Sequence, residues 1–158
     1  MRSQKKSYET PTRGWQQERI ERETDLLYEY GLKNKRELWK TESQVRDLRR
    51  EARKLNAVQD EQREQELLEK LQNLGLVDED ATLTDVLDLD LTDVLDRRFQ
   101  TIVYEKGLAN TLNQARQFIN HGHIMINDRV VDVPSYIVSK EEESNISVAP
   151  GSKDIVQT

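Results

Sequence analysis

Residues 95–136 read LDRRFQTIVYEKGLANTLNQARQFINHGHIMINDRVVDVPSY, and this stretch decides the fold. Apolar side chains recur at helical spacing from Val94 to about Lys106, which predicts a first helix. Thr111 and Gln114 have the spacing of a capping box, so a second helix is expected to begin there. The two helices and the turn between them form the first half of a small module.

Beyond the second helix, the apolar period changes from that of a helix to that of strands. Residues 124–126 and 129–131 flank Asn127 and Asp128, a pattern that predicts a β-hairpin closed by a tight turn. Residues 145–148 predict one further strand. The stretch is therefore expected to fold as a helix-turn-helix followed by a small sheet.

The second helix of this module carries a polar face. Arg116 offers a cation for phosphate, and Asn113, Gln117 and Asn120 offer amides for base edges or sugar hydroxyls. Folded RNA is recognised largely through phosphates, 2′-hydroxyls and shape, so such a face suits an RNA partner. The alternative interpretation is an ordinary solvated helix face, which the pattern alone does not exclude.

The chain upstream of this module is predicted to be helical. Residues 1–14 are polar and basic and are expected to form an extended arm. One helix is predicted over residues 15–30 and a third over residues 60–74. Between them lies a longer second helix, which begins near Asn34.

The helix that begins near Asn34 has two parallel stripes. Leu38, Val45 and Ala52 are spaced seven apart and form an apolar stripe. Beside it runs a set of cations three and four residues apart, called the basic band below. The basic band consists of Arg46, Arg49, Arg50, Arg53 and Lys54. The band is either a phosphate-binding surface or a solvated flank of a short coiled coil.

The net charge of −6 is unevenly distributed along the chain. Residues 1–56 hold 15 basic and 10 acidic side chains, whereas residues 57–94 hold 2 basic and 12 acidic ones. Such asymmetry is a hint of a nucleic-acid-binding face, although solvated helices produce it too. We expect the acidic central block to face solvent and the binding faces to lie elsewhere.

Several classes of protein are excluded by composition. The chain has no Cys, which excludes disulfides, thiolate zinc sites and cysteine catalysis. No uncharged apolar run exceeds three residues, so neither a transmembrane helix nor a secretory signal is predicted. No catalytic triad pattern or Gly-rich phosphate loop is present. We expect a cytoplasmic protein that is not an enzyme and needs no cofactor, metal or small-molecule substrate.

Five runs in the module resemble the αL RNA-binding domain, which is named after the fourth protein of the small ribosomal subunit. The runs are Arg97-Arg98-Phe99-Gln100, Gly107-Leu108-Ala109, Ala115-Arg116-Gln117-Phe118-Ile119, Gly122-His123-Ile124 and Val133-Pro134-Ser135-Tyr136. One departure is Asp128, because this family usually has Gly at that position of the hairpin turn. The departure bears on the turn geometry and not on the identity of the domain.

The N-terminal half is similar to the archaeal branch of the family of that ribosomal protein. The similarity lies in residues 8–11, Trp15, residues 30–39 and the basic band. The resemblance then spans nearly the whole chain. It implies a structural protein that binds small-subunit rRNA directly, nucleates assembly of the subunit body and contributes to translational accuracy. It also implies neighbouring ribosomal proteins as partners, among them the fifth protein of the small subunit, with no membrane and no homo-oligomer.

The expected architecture is α+β, with a helical N-terminal region followed by the small α/β RNA-binding domain. Residues 1–14 are expected to be the basic arm, and residues 15–94 the helical rRNA-binding region with an acidic outer helix. Residues 95–148 are expected to be the αL-type domain, and residues 149–158 a flexible tail.

The residues expected to contact RNA share cationic, amide, hydroxyl or imidazole side chains on these segments. They are Arg2, Lys5, Lys6, Arg13, Lys33, Lys35, Arg36, Arg46, Arg49, Arg50, Arg53, Lys54, Arg97, Arg98, Lys106, Thr111, Asn113, Gln114, Arg116, Gln117, Asn120, His121, His123, Asn127 and Arg129. The histidine pair lacks a third ligand, so RNA or polar contact is favoured over metal binding. Trp15 and Trp39 either stack on bases or pack where helices meet.

Two other functions share some of these features. The same domain occurs in RNA-modifying enzymes of the pseudouridine-synthase type and in free-standing RNA-binding accessory proteins. The apolar stripe would also suit a helical interaction protein, although it is short for a coiled coil. The isoelectric point near 5.1 is unusual for a ribosomal protein. We take it as grounds for the hypothesis of a high-salt cytoplasm, where salt screens the repulsion between acidic protein and RNA.

Overall fold

The computed structural model describes residues 4–156, so the predicted RNA contact Arg2 lies outside the described residues. The helices in this range are α1 (Gln17–Glu29), α2 (Lys35–Val58), α3 (Glu61–Asn73), α4 (Leu83–Leu87), α5 (Leu91–Asp96), α6 (Phe99–Glu105), α7 (Leu112–Asn120), α8 (Lys140–Ser144) and α9 (Lys153–Val156). The strands are β1 (Ile124–Ile126), β2 (Arg129–Val130) and β3 (Ile146–Val148). The predicted α+β class is confirmed.

The long helix α2 is the spine of the N-terminal half. The predicted apolar stripe is confirmed, because Leu38, Val45 and Ala52 are all buried. The first half of α2 shares a core with Leu26 of α1 and with Leu95 of α5. Its second half shares a different core with α3 and α4. One amphipathic helix thereby organises two separate apolar clusters.

The C-terminal module packs two helices against a three-stranded sheet. The sheet is antiparallel in the order β2-β1-β3, with Ile124 opposite Val148. The predicted hairpin is confirmed, and both residues of its turn are left-handed, with φ of 48° at Asn127 and 63° at Asp128. Left-handed residues at both positions define the turn type that matches the twist of a hairpin. Asp128 therefore adopts the geometry for which the family usually employs Gly.

The predicted continuous helix over residues 94–106 is wrong, because it breaks at Arg97 and Arg98. Helix α5 ends at Asp96, and α6 begins only at Phe99. The backbone between them pairs with the segment that follows the hairpin. The amide of Val138 donates to the carbonyl of Arg97 at 3.1 Å, and that of Phe99 donates to Tyr136 at 2.7 Å. These long-range bonds replace the local bonds that a helix would make.

The two ends of the described chain are docked onto the body. In the arm, Tyr8 lies against the ring of Trp39, and the amide of Glu9 donates to Ser43 on α2. At the other end, Ala149 is buried and its amide donates to the carbonyl of His123 at 2.8 Å. The flexibility predicted for residues 149–158 stays a prediction. The part that is described packs on the module because Ala149 and Val156 contribute to its apolar surroundings.

A carboxylate on α2 joins the two halves. Both oxygens of Glu37 accept hydrogen bonds from Arg116 of α7, Oε1 from Nη2 at 2.6 Å and Oε2 from Nη1 at 3.2 Å. Nη2 of Arg98 lies 3.8 Å from the same carboxylate. Bidentate pairs between Arg and carboxylate are among the strongest polar contacts in proteins. This pair fixes α7 relative to α2.

A buried amide adds to this contact between the two halves. The contact, formed by Glu37, Arg98, Gln100 and Arg116, is called the joint below. Gln100 is only 1% exposed, and its Nε2 donates to the carbonyls of Gly31 and Leu112, each at 3.0 Å. Gly31 lies in the turn before α2, and Leu112 lies at the start of α7. One side chain of α6 therefore ties together three segments.

Gly31→Ala is expected to destabilise the protein more than Gly107→Ala. Both glycines are left-handed, with φ of 60° and 73°, so each substitution costs about 1–2 kcal/mol in backbone strain. A Cβ at Gly31 would lie 2.8 Å from Cβ of Leu112 and 2.9 Å from Nε2 of Gln100, whereas one at Gly107 meets nothing within 4 Å. The clash should add about 1–3 kcal/mol. Equal losses in urea-induced unfolding of the two variants would contradict the close packing of the joint.

The joint should also make stability depend on pH. Burial would raise the pKa of Glu37, but hydrogen bonds from Arg116 and from the amide of Lys33, together with the nearby guanidinium charges, outweigh it and lower the pKa below its ordinary value of 4.5. A carboxyl whose folded pKa is depressed contributes stability above its unfolded pKa, and that contribution is lost as pH falls through the folded pKa.

We therefore expect Glu37→Gln to be less stable than the wild type near pH 7, by about 1–3 kcal/mol, with the difference shrinking as pH falls below about 4.5. Urea-induced unfolding at several pH values measures it. Glu42→Gln, at an exposed carboxylate of the same helix, serves as the control. A Glu37→Gln curve that stays parallel to that of the wild type at all pH values would rule out this linkage.

Candidate nucleic-acid interface

The outer face of α7 is available for a ligand, as the sequence predicts. Ala115, Phe118 and Ile119 are buried, so the helix turns its other side outward. On that side, the three amide side chains predicted to contact RNA are exposed, and none of them bonds to another described residue. They are Asn113, Gln117 and Asn120. A row of free amides at helical spacing can donate and accept hydrogen bonds along a groove.

Two other predicted contacts on this helix have structural roles. Thr111 caps α7, since its hydroxyl oxygen accepts from the amide of Gln114 at 3.1 Å. The side chain of Gln114 accepts in turn from the amide of Asn110 at 2.7 Å. In the predicted capping box, the side chain of Gln114 would accept from the amide of Thr111. It accepts instead from the amide of Asn110, one residue earlier. Both side chains are engaged in starting the helix.

The histidine pair lies where α7 ends. The rings of His121 and His123 are stacked with centroids 6.1 Å apart. Nδ1 of His123 lies 2.9 Å from the hydroxyl of the buried Ser152, and His121 is exposed. Of the two, only His121 presents a free ring at the surface.

Arg116 does not face outward. Its side chain is 19% exposed and is engaged by Glu37 and Gln100 at the joint. The interpretation of Arg116 as an exposed phosphate contact therefore needs correction. The partner, Glu37, lies 79 residues away in sequence, so helical periodicity within α7 gave no sign of it.

Three further cations of the predicted set are held within the protein. Arg97 donates to Glu143 and to the carbonyl of Val138, each at 2.7 Å. Lys35 pairs with Glu23 at 3.2 Å. Arg98 is 4% exposed at the joint. Burial lowers the pKa of Arg98, and the charge of Arg116 acts in the same direction while that of Glu37 opposes it.

The basic band on α2 is partly free. Arg50, Arg53 and Lys54 are exposed, and Arg50 pairs with Asp47, one turn away, at 3.3 Å. Arg46 pairs with Glu9 of the arm. Arg49 donates to the carbonyl of Leu89 and lies 3.5 Å from Asp90. The C-terminal part of the band is therefore the part most accessible to phosphate.

Helix α1 adds two cations that the sequence interpretation missed, namely Arg22, which is exposed, and Arg19, which is paired with Glu23 at 2.8 Å. Arg19 and Arg22 line a cavity of about 350 Å³ together with Arg46 and Arg49 of the band. They were missed because they lie on a different helix, and only tertiary packing brings them beside α2. Lys40 was also missed, although its spacing from Arg36 on α2 was a local signal.

The two tryptophans have different roles. Trp39 packs on Tyr8, and its indole nitrogen donates to Oε1 of Glu23 at 3.1 Å. Burial would raise the pKa of Glu23, but hydrogen bonds from Trp39, Arg19 and Lys35 outweigh it and keep the pKa low. Trp15 is 97% exposed. Only Trp15 is therefore free to stack on a base.

The remaining predicted contacts lie on the surface. They are Lys5, Lys6, Arg13, Lys33, Arg36, Lys106, Asn127 and Arg129. Within residues 4–156, no group of three or more His, Cys, Asp or Glu side chains is arranged to hold a metal ion. Over the same range, no helix combines the length and the apolar character that a membrane span requires.

Comparison with known families bears on both halves of the chain. Residues 97–144 match the S4 domain. Three archaeal relatives are each named small ribosomal subunit protein uS4. The relative from Nanoarchaeum equitans is 53% identical over 155 residues, covering 94% of this chain and 86% of the relative. That from Halobacterium salinarum is 50% identical over 142 residues, covering 90% and 84%.

The third, from Ignicoccus hospitalis, is 49% identical over 154 residues, covering 96% of this chain and 93% of the relative. Identity of this level over nearly the full length of both chains includes the helical half, where the S4 domain is absent. The similarity is therefore not that of one shared module on unrelated proteins. The chain belongs to the uS4 family of small-subunit ribosomal proteins.

Proposed function

We propose that the protein is a structural component of the small ribosomal subunit, that it binds small-subunit rRNA directly, and that it catalyses no reaction. The observation that carries the proposal is the full-length match to relatives named small ribosomal subunit protein uS4. An RNA-modifying enzyme is not favoured, because the relatives that match both halves are ribosomal proteins. The exposed amides of α7 and the exposed end of the basic band are the groups that would contact the rRNA.

Two surfaces, the amides of α7 and the exposed end of the basic band, contact different parts of the RNA in this proposal. The amides of α7 lie on a rigid helix and suit the 2′-hydroxyls and base edges of folded RNA. The exposed end of the basic band, with Arg53 and Lys54, supplies attraction to phosphates that does not depend on sequence. The pair between Glu37 and Arg116 keeps the two faces in a fixed relation. Rigid spacing lowers the conformational entropy that binding would otherwise cost.

The proposal extends to the location, the assembly role and the protein partners of the chain. The protein resides on the cytoplasmic ribosome, nucleates assembly of the subunit body and contributes to accuracy of translation. It contacts other small-subunit proteins, the fifth among them. The acidic α3 supports this arrangement, since most of its carboxylates are exposed and would repel RNA, which leaves that helix for solvent or protein neighbours.

Separate variants of the two faces should have different effects on binding of a small-subunit rRNA transcript. Removing Arg53 and Lys54 together as Gln should reduce the slope of log affinity against log salt by about one for each charge. Asn113→Ala with Gln117→Ala should weaken binding at every salt concentration, by about 0.5–1.5 kcal/mol per lost hydrogen bond, with the slope unchanged. Fluorescence anisotropy measures both.

Lys70→Gln on α3 is the control, because it removes an exposed cation from the acidic helix. Its affinity should equal that of the wild type. In cells, a tagged chain should sediment with the small subunit. Absence from those fractions would refute the ribosomal role, and wild-type affinity of both face variants would refute the assignment of the faces.

We also propose that the protein is adapted to a high-salt cytoplasm. A cavity of about 450 Å³ at the surface is lined by five aspartates, namely Asp78, Asp80, Asp85, Asp88 and Asp93. Like charges that share one cavity repel one another, and we expect this repulsion to disfavour the folded state in dilute buffer. The Debye length falls from about 10 Å at 0.1 M to about 3 Å at 1 M, so salt relieves this repulsion.

The melting temperature should therefore rise as potassium chloride increases from about 0.1 M to about 1 M. The double change of Asp80 and Asp88 to Asn should raise stability at low salt and flatten the dependence. Thermal unfolding followed by circular dichroism measures both. A wild type that is most stable in dilute buffer and loses stability steadily with added salt would contradict the adaptation.

A further inference from the structure

A third, smaller cavity lies at the joint between α2 and the module. Its volume is about 160 Å³. It is lined by Glu37, Lys40, Thr41, Gln44, Arg98, Ser135 and Ile137. Lys40, Gln44 and Ser135 are exposed and surround its mouth, whereas Arg98 is buried. The cavity is thus a recess with a guanidinium at its inner end.

Arg98 has donors that its surroundings do not use. Among residues 4–156, neither its Nε nor its Nη2 has a hydrogen-bond partner, although both atoms are buried. The nearest carboxylate oxygen, Oε1 of Glu37, is 3.8 Å from Nη2, which is beyond hydrogen-bond distance. Buried donors of charged groups are rarely left without partners in native proteins, because each costs free energy.

The charges around the cavity are also unbalanced. Glu37 is the only carboxylate among the lining residues, and it already accepts hydrogen bonds from Arg116 at 2.6 Å and 3.2 Å and from the amide of Lys33 at 3.0 Å. Arg98 must share that single negative charge. Lys40 adds a further cation at the mouth. Two guanidinium groups, those of Arg98 and Arg116, therefore share one carboxylate, while Lys40 lines the same cavity. The recess has room for a further negative charge.

We propose that this cavity binds one small oxyanion of the phosphate class, which accepts hydrogen bonds from Arg98 and a charge contact from Lys40. The planar guanidinium presents donors in a fork that matches the oxygens of phosphate. The hydroxyl of Ser135 is a further donor at the mouth. A water occupies about 30 Å³ in the liquid, so 160 Å³ accommodates a tetrahedral anion with some hydration.

The anion closes the joint. It binds α2 through Lys40 and the module through Arg98 and Ser135, so it adds a second electrostatic link beside that of Glu37 with Arg116. The anion is either a backbone phosphate of bound RNA, which would deepen the proposed function, or free phosphate. The site itself does not rest on the proposed function, because its chemistry is complete in the isolated chain.

Thermal unfolding of the full chain in inorganic phosphate tests the site. Chloride at matched ionic strength is the reference. At a phosphate concentration about five times the dissociation constant, the melting temperature of the wild type should be about 2–4 °C higher than in chloride. Phosphate also stabilises proteins without binding to a site, so the variants decide the result.

Lys40→Gln should lose most of the phosphate-specific rise, and because Lys40 is exposed the variant should fold. Lys70→Gln on α3 removes the same charge far from the cavity and should keep the rise. Arg98→Gln should abolish it, and if this variant does not fold, Lys40→Gln and Ser135→Ala carry the test. Equal rises in wild type, Lys40→Gln and Lys70→Gln would overturn the proposal.

Phosphorus NMR then identifies the source of the anion. Inorganic phosphate should show line broadening with the wild type and much less with Lys40→Gln. If saturating rRNA transcript removes the broadening, the occupant on the ribosome is an RNA phosphate. If broadening persists in the complex, the occupant is free phosphate. No selective broadening in the isolated chain overturns the site, whereas a chain that fails to bind the transcript overturns only the proposed function.

Discussion

The carboxylate of Glu37 is the contact on which the arrangement of this protein depends. It accepts two hydrogen bonds from Arg116 and lies within ion-pair distance of Arg98. These two arginines belong to the C-terminal module, and Glu37 belongs to the first turn of α2. The apolar clusters of the two halves are distinct, and the buried amide of Gln100 also links the halves. A polar joint between separate cores fixes direction more strictly than apolar contact does, because hydrogen bonds have preferred angles.

The cations of the chain fall into two groups, according to whether they have partners within the protein. Arg97, Arg116 and Lys35 pair with carboxylates or carbonyls within the protein, so they stabilise the fold. Arg98 is buried beside Glu37, but two of its donor atoms have no partner among the described residues. Arg53 and Lys54 remain exposed and are suited to phosphate. Sequence motifs do not distinguish these groups, since a guanidinium recognises a carboxylate and a phosphate by the same fork of donors. In an RNA-binding protein the same residue type therefore serves both roles.

The carboxylates of the chain also have two roles. One part consists of carboxylates that order the basic residues, such as Glu9 beside Arg46 and Asp90 beside Arg49. In the proposed RNA complex, a phosphate that binds these arginines has to compete with their internal partners. A further part lies on α3 and around the aspartate-lined cavity. The net charge of the whole chain thus says little about its binding faces.

The sequence by itself determined the features that depend on neighbours along the chain. The start of α2 at Asn34, the start of α7 at Thr111 and the hairpin turn at Asn127 all follow from hydrogen bonds or dihedral preferences within a few residues. Family resemblance added the domain, because its motifs are local too. Only the tertiary structure decided the break at Arg97, the docking of Ala149 and the inward direction of Arg116. Each of these depends on a partner far along the chain, and local periodicity carries no record of such a partner.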